Sequence, residues 1–205
     1  MTSFAALGDS FTAGAGCPPG ASWADRLARS LGARDPWLVY RNFAEDGATS
    51  AAVMEQVDQA ARLTPDLVTL ICGVNDVLHS TRPDIDGYAE RFESMLGRLE
   101  AGEQPPLVIT ATAPENLHFL EPGPRTERRL REGLQRLNGE TRRIAARHRV
   151  PCLEVVGHPG LRDPANFQED GIHPSEIGHA HAAEAFERLL AEGERVREPV
   201  REAYL

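Results

Sequence analysis

The feature that most limits how this chain can fold is a regular alternation of short apolar runs with longer segments of helical periodicity. The apolar runs predict five strands, over residues 3–7, 38–43, 66–72, 107–111 and 151–156. Two of them read DLVTLIC and LVITA, a continuous apolar composition typical of strands buried on both faces of a parallel sheet. Strand and helix alternate about five times, which predicts an α/β sandwich of three layers, α/β/α, with about five parallel strands.

The segments between the strands have apolar residues at i, i+3 and i+4, which indicates amphipathic helices. The predicted helices cover residues 23–31, 50–63, 86–101, 126–148 and 175–192. Ser22 and Ser175 precede two of them and are the residue type preferred as a helix N-cap. A chain of 205 residues without an internal repeat or a linker is expected to form one domain, residues 1–205.

Composition and charge exclude several classes of partner. The net charge of −9 argues against binding of nucleic acid or of an anionic membrane surface. No apolar run has membrane-spanning length, and no basic segment followed by an apolar one opens the chain, so we expect a cytoplasmic protein. The sequence does not predict the oligomeric state.

The three cysteines show neither a CxxC motif nor the spacing of a disulfide framework. Cys72 and Cys152 lie in predicted strands, where we expect buried, small apolar side chains. Cys17 lies in a Gly/Pro loop, and we expect no catalytic role for it.

Four short polar segments follow predicted strands. They are residues 8–10 (GDS), 42–49 (NFAEDGAT), 73–76 (GVND) and 170–174 (DGIHP), the last directly before the final helix. A parallel sheet gathers the carboxyl ends of its strands at one edge, where ligands bind in open α/β folds. Ser10 alone is ambiguous, because a serine on a strand-to-helix turn is either a nucleophile or a helix N-cap.

These four segments, in this order, resemble the SGNH/GDSL hydrolase family, which is named for the Ser, Gly, Asn and His they supply. The resemblance extends from Gly8 to His173 and implies a flavodoxin-like fold and a serine esterase. Ser10 corresponds to the nucleophile of the family. An imidazole titrates near neutrality and suits the role of base, which points to His173, and Asp170 is placed to hold that imidazole in one tautomer.

The resemblance also implies an oxyanion hole made of the backbone N–H groups of Ser10 and Gly47 and the side-chain amide of Asn75. A glycine lets the backbone approach a substrate closely, and a neutral amide donates without competing for the proton of the base. Gly73 is expected to permit the turn that aims Asn75.

The neighbours of these residues are predicted to support the site. Asp9 is expected to hold its turn by accepting backbone N–H bonds, and Asp76 to do the same after Asn75. Asn42 and Thr49 are expected to support the loop that carries Gly47.

Other histidines and other motifs predict little additional chemistry. His79, His118 and His158 lie in loops after strands and are candidates for substrate contact, whereas His179 and His181 are two residues apart and point to different faces of one helix. The chain has no HxxxH, HExxH or Cys/His cluster, no GxGxxG and no Walker lysine. We therefore expect no metal, no nucleotide and no other cofactor.

The sequence favours hydrolysis of a small-molecule acyl ester through an acyl-Ser10 intermediate. The first alternative is an acyltransferase or cyclising enzyme with the same triad and an acceptor other than water. The second is a binding module that keeps the fold without turnover. Residues 117–120 (LHFL) either line an acyl pocket or pack locally beneath a turn, and we favour local packing.

Overall fold

A five-stranded parallel sheet forms the centre of the structure, a computed structural model that describes residues 2–115 and 123–197. Its strands are β1 (Ser3–Gly8), β2 (Val39–Asn42), β3 (Leu67–Ile71), β4 (Leu107–Ala111) and β5 (Cys152–Leu153). Their order across the sheet is β2-β1-β3-β4-β5, and every neighbouring pair is parallel. This is the flavodoxin-like order, so the predicted fold class is confirmed.

Five long helices confirm the helical predictions to within a few residues. The helices of the structure are α1 (Ser10–Ala13), α2 (Trp23–Arg34), α3 (Ser50–Ala61), α4 (Val74–Leu78), α5 (Ile85–Glu100), α6 (Pro124–Arg147) and α7 (Glu176–Arg197). The sequence did not predict α1 and α4, which are too short to show a periodic pattern. Two 3-10 helices, Pro159–Arg162 and Pro164–Asn166, lie in the long segment before α7.

The fifth strand is much shorter than predicted. Beyond Leu153 the ladder ends, because the N–H of Val155 donates to the hydroxyl of Thr112 at 2.9 Å rather than to a backbone carbonyl. The predicted N-caps are confirmed: Ser22 Oγ accepts the N–H of Asp25 at 3.1 Å, and Ser175 Oγ accepts that of Gly178 at 3.2 Å.

Alternating side chains of β1 show how the layers are filled. Phe4 and Ala6 belong to a core shared with α2 and α7, in which Trp23 is fully buried. Ala5 and Leu7 belong to the core of the opposite face, which is covered by α3, α5 and α6. Because both faces of the strand are buried, its apolar run is continuous rather than alternating.

The three cysteines are partly buried, whereas the sequence predicted buried side chains for Cys72 and Cys152; Cys72 packs against the core. Cys72 directly follows the carboxyl end of the central strand β3, and Cys152 lies on the edge strand β5. Burial still raises the pKa of both thiols, which disfavours thiolate chemistry. In the described part of the chain, no helix has the length and apolar composition needed to cross a membrane.

His148, at the end of α6, joins that helix to α5. Its Nδ1 lies 2.9 Å from Glu100 Oε2 and its Nε2 lies 2.8 Å from Glu93 Oε1. Burial alone would lower the pKa of His148, but the hydrogen bonds to the two carboxylates outweigh burial and raise it. The charged imidazolium therefore links the two helices on the face opposite α2 and α7.

The order of the strands determines where a ligand can bind. The chain passes from β1 to β2, which lies on one side of β1, and then crosses back to β3, which lies on the other side of β1. A crevice opens at such a switch point, outside the carboxyl ends of the strands. The polar segments after β1 and β3 lie beside this crevice.

Candidate active site

Ser10 is the first residue of α1 and is separated from the end of β1 by Asp9 alone. The N-cap of α1 is Asp9, whose carboxylate accepts the N–H of Phe11 at 3.1 Å. The N-cap alternative for Ser10 is therefore wrong. The N–H groups of the first helical turn have no acceptor within the helix, so the amide of Ser10 points out of the N-terminus with the positive end of the helix dipole.

Gln56, on α3, fixes the end of β1. Its buried side-chain amide accepts the N–H of Gly8 at 2.8 Å and donates to the carbonyl of Gly8 at 2.9 Å. A Cβ at Gly8 would overlap the carbonyl oxygen of Ile71 and the side chain of Thr12, so glycine is required where the chain turns toward Ser10. Sequence reasoning missed Gln56, because a glutamine at a buried helical position carries no motif.

Asp9 is buried beneath the site, and its surroundings show which loops meet there. Burial raises the pKa of Asp9 to about 6, although the N–H of Phe11 and the charge of His173 act in the opposite direction. The charge of Asp76 raises it further. The charges of His173 and Asp76 therefore both act on the carboxylate of Asp9, the residue before Ser10. The turn-holding role expected for Asp9 agrees with the bond to Phe11.

His173 and Asp170 lie on one tight turn and contact each other. His173 Nδ1 is 2.6 Å from Asp170 Oδ2, and Asp170 Oδ1 accepts the backbone N–H groups of Ile172 and His173 at 2.9 and 3.0 Å. Burial alone would raise the pKa of Asp170, but the bonds from His173 and Ile172 hold it below its usual value. An ionised Asp170 accepts the proton of Nδ1, which leaves Nε2 as the basic nitrogen of the ring.

The turn that carries His173 is tied to the segment after α1. Gln168 Nε2 donates to the carbonyls of Ala15 at 2.7 Å and of Pro174 at 2.9 Å, and the N–H of Gln168 donates to the carbonyl of His173 at 2.8 Å. A Cβ at Gly16 would overlap the side-chain amide of Gln168. This second side-chain amide, which is partly buried, holds the segment after α1 and the turn of His173 together, and no motif in the sequence marks it.

Neither the hydroxyl of Ser10 nor Nε2 of His173 forms a hydrogen bond within residues 2–115 and 123–197. Ser10 and His173 are both partly exposed. Their reactive atoms are therefore accessible to a molecule that enters the crevice.

Asn75 and Gly47 lie on the segments that follow β3 and β2 at the carboxyl edge of the sheet. Asn75 is buried on α4, and its Nδ2 donates to the carbonyl of Ala48 at 3.0 Å. An amide nitrogen carries two hydrogens, so one remains for another acceptor. Gly47, directly before Ala48, is exposed and has φ 72°, a left-handed conformation that favours glycine.

Gly73 is the N-cap of α4, and the packing around it leaves no room for a side chain. Its φ is 113°, and a Cβ there would lie 2.6 Å from Cε2 of Tyr88 and 2.8 Å from Cδ1 of Leu137. Both neighbours belong to the core beneath α4. Gly73 therefore lets the chain turn sharply from β3 into the helix that carries Asn75.

Asp76 does not hold its own turn, which corrects the sequence expectation. Its carboxylate instead accepts the N–H of Ser50 at 2.8 Å, the hydroxyl of Ser50 at 2.6 Å and Nη2 of Arg91 at 3.2 Å. The reason is geometric: the N-terminus of α3 packs beside α4 and offers unpaired donors to the nearest carboxylate. Asp76 thus connects α3, α4 and α5.

The two residues expected to support the loop of Gly47 act in different ways. Asn42 donates from Nδ2 to the carbonyl of Thr12 at 2.9 Å and accepts the N–H of Ala44 at 3.0 Å, so it connects this loop to α1. Thr49 occupies the N-cap position of α3, but its side chain forms no capping hydrogen bond. Its carbonyl accepts the N–H of Val53 at 3.0 Å.

The remaining histidines divide between the crevice and the scaffold. His79 is exposed at the end of α4, and its Cε1 lies 4.0 Å from the point where a Cβ of Gly47 would stand, so its ring lines the crevice. His158 instead accepts the N–H of Gly160 at 3.1 Å and holds a local turn. His118 and the predicted apolar stretch over residues 117–120 lie outside the described residues.

The two histidines of α7 are structural. His179 is fully buried, its Nδ1 accepts the N–H of Trp23 at 3.2 Å, and burial lowers its pKa to about 4. His181 Nδ1 lies 3.0 Å from Asn166 Oδ1. Over residues 2–115 and 123–197, no three His, Cys, Asp or Glu side chains are grouped so as to hold a metal ion.

Comparison with solved structures shows the same fold in several hydrolases. The chain resembles a psychrotrophic esterase from Pseudoalteromonas sp. inhibited by monoethylphosphonate, with 15% identity over 95% of this chain and 100% of that one and a TM-score of 0.75. It resembles a lipase/acylhydrolase from Enterococcus faecalis with 22% identity, 95% and 97% coverage and a TM-score of 0.72. A catalytic mutant of an acetylxylan esterase from Geobacillus stearothermophilus gives 21% identity, 92% and 94% coverage and a TM-score of 0.72.

A comparison with curated proteins found no match. The profile described as GDSL-like lipase/acylhydrolase family matches residues 6–181, which include the four polar segments and almost the whole described fold. The chain therefore belongs to the GDSL-like lipase/acylhydrolase family and is a serine hydrolase that acts on ester bonds.

Proposed function

We propose that the chain, as a single domain over residues 1–205, hydrolyses a carboxylic ester through an acyl-Ser10 intermediate, with His173 as base and Asp170 as its partner. The observation that carries the proposal is the 2.6 Å contact between Asp170 Oδ2 and His173 Nδ1. It leaves Nε2 as the basic nitrogen of an imidazole on the turn that Gln168 ties to the segment after Ser10. The mechanism requires no cofactor.

The reaction proceeds in two halves. His173 Nε2 removes the proton of the Ser10 hydroxyl as Oγ attacks the ester carbonyl, and the tetrahedral intermediate collapses when the imidazolium gives that proton to the departing alcohol. Water then attacks the acyl-enzyme with His173 again as base, which releases the carboxylic acid and regenerates Ser10. The Ser10–His173 hydrogen bond forms with substrate bound, since such bonds often tighten only in the reacting complex.

The negative charge on the carbonyl oxygen is stabilised by three donors. They are the N–H of Ser10 at the N-terminus of α1, the N–H of Gly47 and the second hydrogen of Asn75 Nδ2. The first hydrogen of Asn75 is already bound to the carbonyl of Ala48, so the direction of the second is fixed before substrate arrives. Preorganised donors of this kind contribute about 3–4 kcal/mol each to catalysis.

The test is covalent labelling with a fluorophosphonate, followed by intact mass measurement and peptide mapping. We expect a single adduct on Ser10, no adduct in Ser10→Ala, and almost none in His173→Ala. Turnover of short aryl esters should fall by about 10⁴–10⁶-fold in either variant, because triad members act as a unit. His158→Ala is the matched control, since His158 accepts the N–H of Gly160 within its own local turn.

Two results would contradict the proposal. Wild-type ester turnover in a folded Ser10→Ala variant would exclude the acyl-Ser10 intermediate. A folded protein with neither adduct nor turnover would favour the binding module. If labelling succeeds, product analysis with added alcohols or amines separates hydrolysis from acyl transfer, because an acyltransferase gives the new ester or amide in preference to the acid.

A further inference from the structure

Three side chains from three helices form a closed hydrogen-bonded set beside the crevice, here called the Arg91 bridge: Arg91 of α5, Ser50 of α3 and Asp76 of α4. Arg91 Nε donates to Ser50 Oγ at 2.7 Å, and Arg91 Nη2 donates to Asp76 Oδ1 at 3.2 Å. Ser50 Oγ in turn donates to Asp76 Oδ1 at 2.6 Å. Each of the three side chains therefore contacts both of the others.

The bridge is shielded from water, which makes its geometry strict. Ser50 is fully buried, and the side chains of Asp76 and Arg91 are 7% and 27% exposed. A carboxylate in such a place is stable only when its partners are in position. The N–H of Ser50 is a further donor to Asp76, at 2.8 Å. The guanidinium contributes two donors in a fixed plane and so sets both contacts at once.

The bridge joins the two elements that carry the distal donors of the proposed oxyanion hole. Ser50 comes three residues after Gly47, and Asp76 is the residue after Asn75. A second contact, from Asn75 Nδ2 to the carbonyl of Ala48, connects the same two elements. Residues 47–50 and α4 are thus held together at two points, and at one of them Arg91 contacts both side chains.

We propose that Arg91 is a positioning residue for ester hydrolysis: through Ser50 and Asp76 it sets the spacing between the N–H of Gly47 and the amide of Asn75. This inference rests on the proposed oxyanion hole. Arg91 itself contacts neither substrate nor a reacting atom. Its effect is on the transition state, because the two donors must lie about 2.7–3.1 Å from the oxyanion. The carbonyl oxygen of the bound substrate does not yet occupy that position.

The expected signature is a loss of kcat with little change in KM. We expect Arg91→Met to lower kcat about ten- to hundredfold, since a misplacement of about 1 Å costs about 10² in rate. Arg91→Lys should recover part of the loss, because an ammonium retains the charge but lacks the planar fork. Ser50→Ala, which removes the central hydroxyl and leaves Asp76 with Arg91, should lower kcat less and with the same pattern.

Arg98→Met is the matched control. Arg98 also lies on α5 and also reaches α3, through Nη1 to Asp58 Oδ1 at 2.9 Å, but both side chains are exposed and lie two turns of α3 from the crevice. Its removal breaks an ion pair between the same two helices. We expect kcat and KM of Arg98→Met to equal those of the wild type, with both variants folded by circular dichroism.

A double-mutant cycle with Asn75→Ala separates this inference from the proposed function. If Arg91 acts through the donors, Arg91→Met should lower kcat much less in the Asn75→Ala background than in the wild type. The inference would be overturned if Arg91→Met lowered kcat by the same factor in the wild-type and Asn75→Ala backgrounds. Wild-type kcat in a folded Arg91→Met variant would overturn it as well. Wild-type kcat in Asn75→Ala would instead overturn the oxyanion hole on which the inference rests. If Arg91→Met does not fold, the cycle is run with Ser50→Ala and judged by the same criteria.

Discussion

Replacing Asp9 by Asn removes the one buried carboxylate that lies directly beside Ser10. Burial raises the pKa of Asp9 from 3.8 to about 6. A carboxyl whose pKa is higher in the folded than in the unfolded state stabilises the fold fully below its unfolded pKa. This stabilisation is lost as the pH rises through the folded pKa. A shift of about two pKa units corresponds to about 3 kcal/mol of unfolding free energy, withdrawn once Asp9 is ionised.

The measurable part of this effect lies between pH 5 and pH 8. With pKa values of 3.8 unfolded and about 6 folded, the wild type loses roughly 1.4 kcal/mol across that window through Asp9. An asparagine keeps the side-chain oxygen that caps α1 and cannot ionise. The unfolding free energy of Asp9→Asn relative to the wild type should therefore rise by that amount from pH 5 to pH 8.

Urea denaturation followed by circular dichroism gives the unfolding free energies of the wild type and of Asp9→Asn at pH 5 and at pH 8. The difference between variant and wild type cancels the titration of all other groups that the substitution leaves unchanged. Asp163→Asn is the matched control, because Asp163 accepts the N–H two residues ahead, at 2.9 Å, as Asp9 does, but is exposed. The comparison separates the effect of burial from the effect of an amide at a capping position. An Asp9→Asn difference that is the same at both pH values would refute the assignment of a raised pKa to burial.

Three further substitutions test the scaffold. Gln56→Leu should lower the unfolding free energy by about 1–3 kcal/mol in urea denaturation, because it leaves the buried N–H of Gly8 without a partner, whereas the carbonyl of Gly8 still accepts the N–H of Glu45 at 3.2 Å. Gly73→Ala should cost about 2–4 kcal/mol in the same assay, through strain at positive φ and overlap with Tyr88, whereas Gly97→Ala, with open space around it, should be neutral or stabilising. His148 has a raised pKa, so its stabilisation is complete below about pH 6.5 and lost as pH rises through the folded value. The melting temperature of His148→Gln should accordingly lie below that of the wild type at pH 5.5, and the difference should shrink at pH 9.

The order of strands and helices and the position of the motifs could be predicted from the sequence because both are local properties. Apolar periodicity marks an element wherever it packs, and polar residues after a strand lie at the carboxyl edge of any parallel sheet. The contact between His173 and Asp170 belongs to the same class, since the two residues lie three positions apart on one turn. α1 and α4 could not be predicted, because helices of four and five residues are stable only through tertiary packing.

The sequence by itself determined the α/β layers, the four polar segments and the chemistry those residues suggest. Only the tertiary structure decided that Gln56 holds the end of β1, that Asp76 bonds to α3 instead of to its own turn, and that Arg91 closes the bridge between α3 and α4. The physical reason is the range of the interactions. Capping and periodicity act within one element, whereas these contacts join residues far apart in the chain, whose proximity exists only after the helices have packed on the sheet.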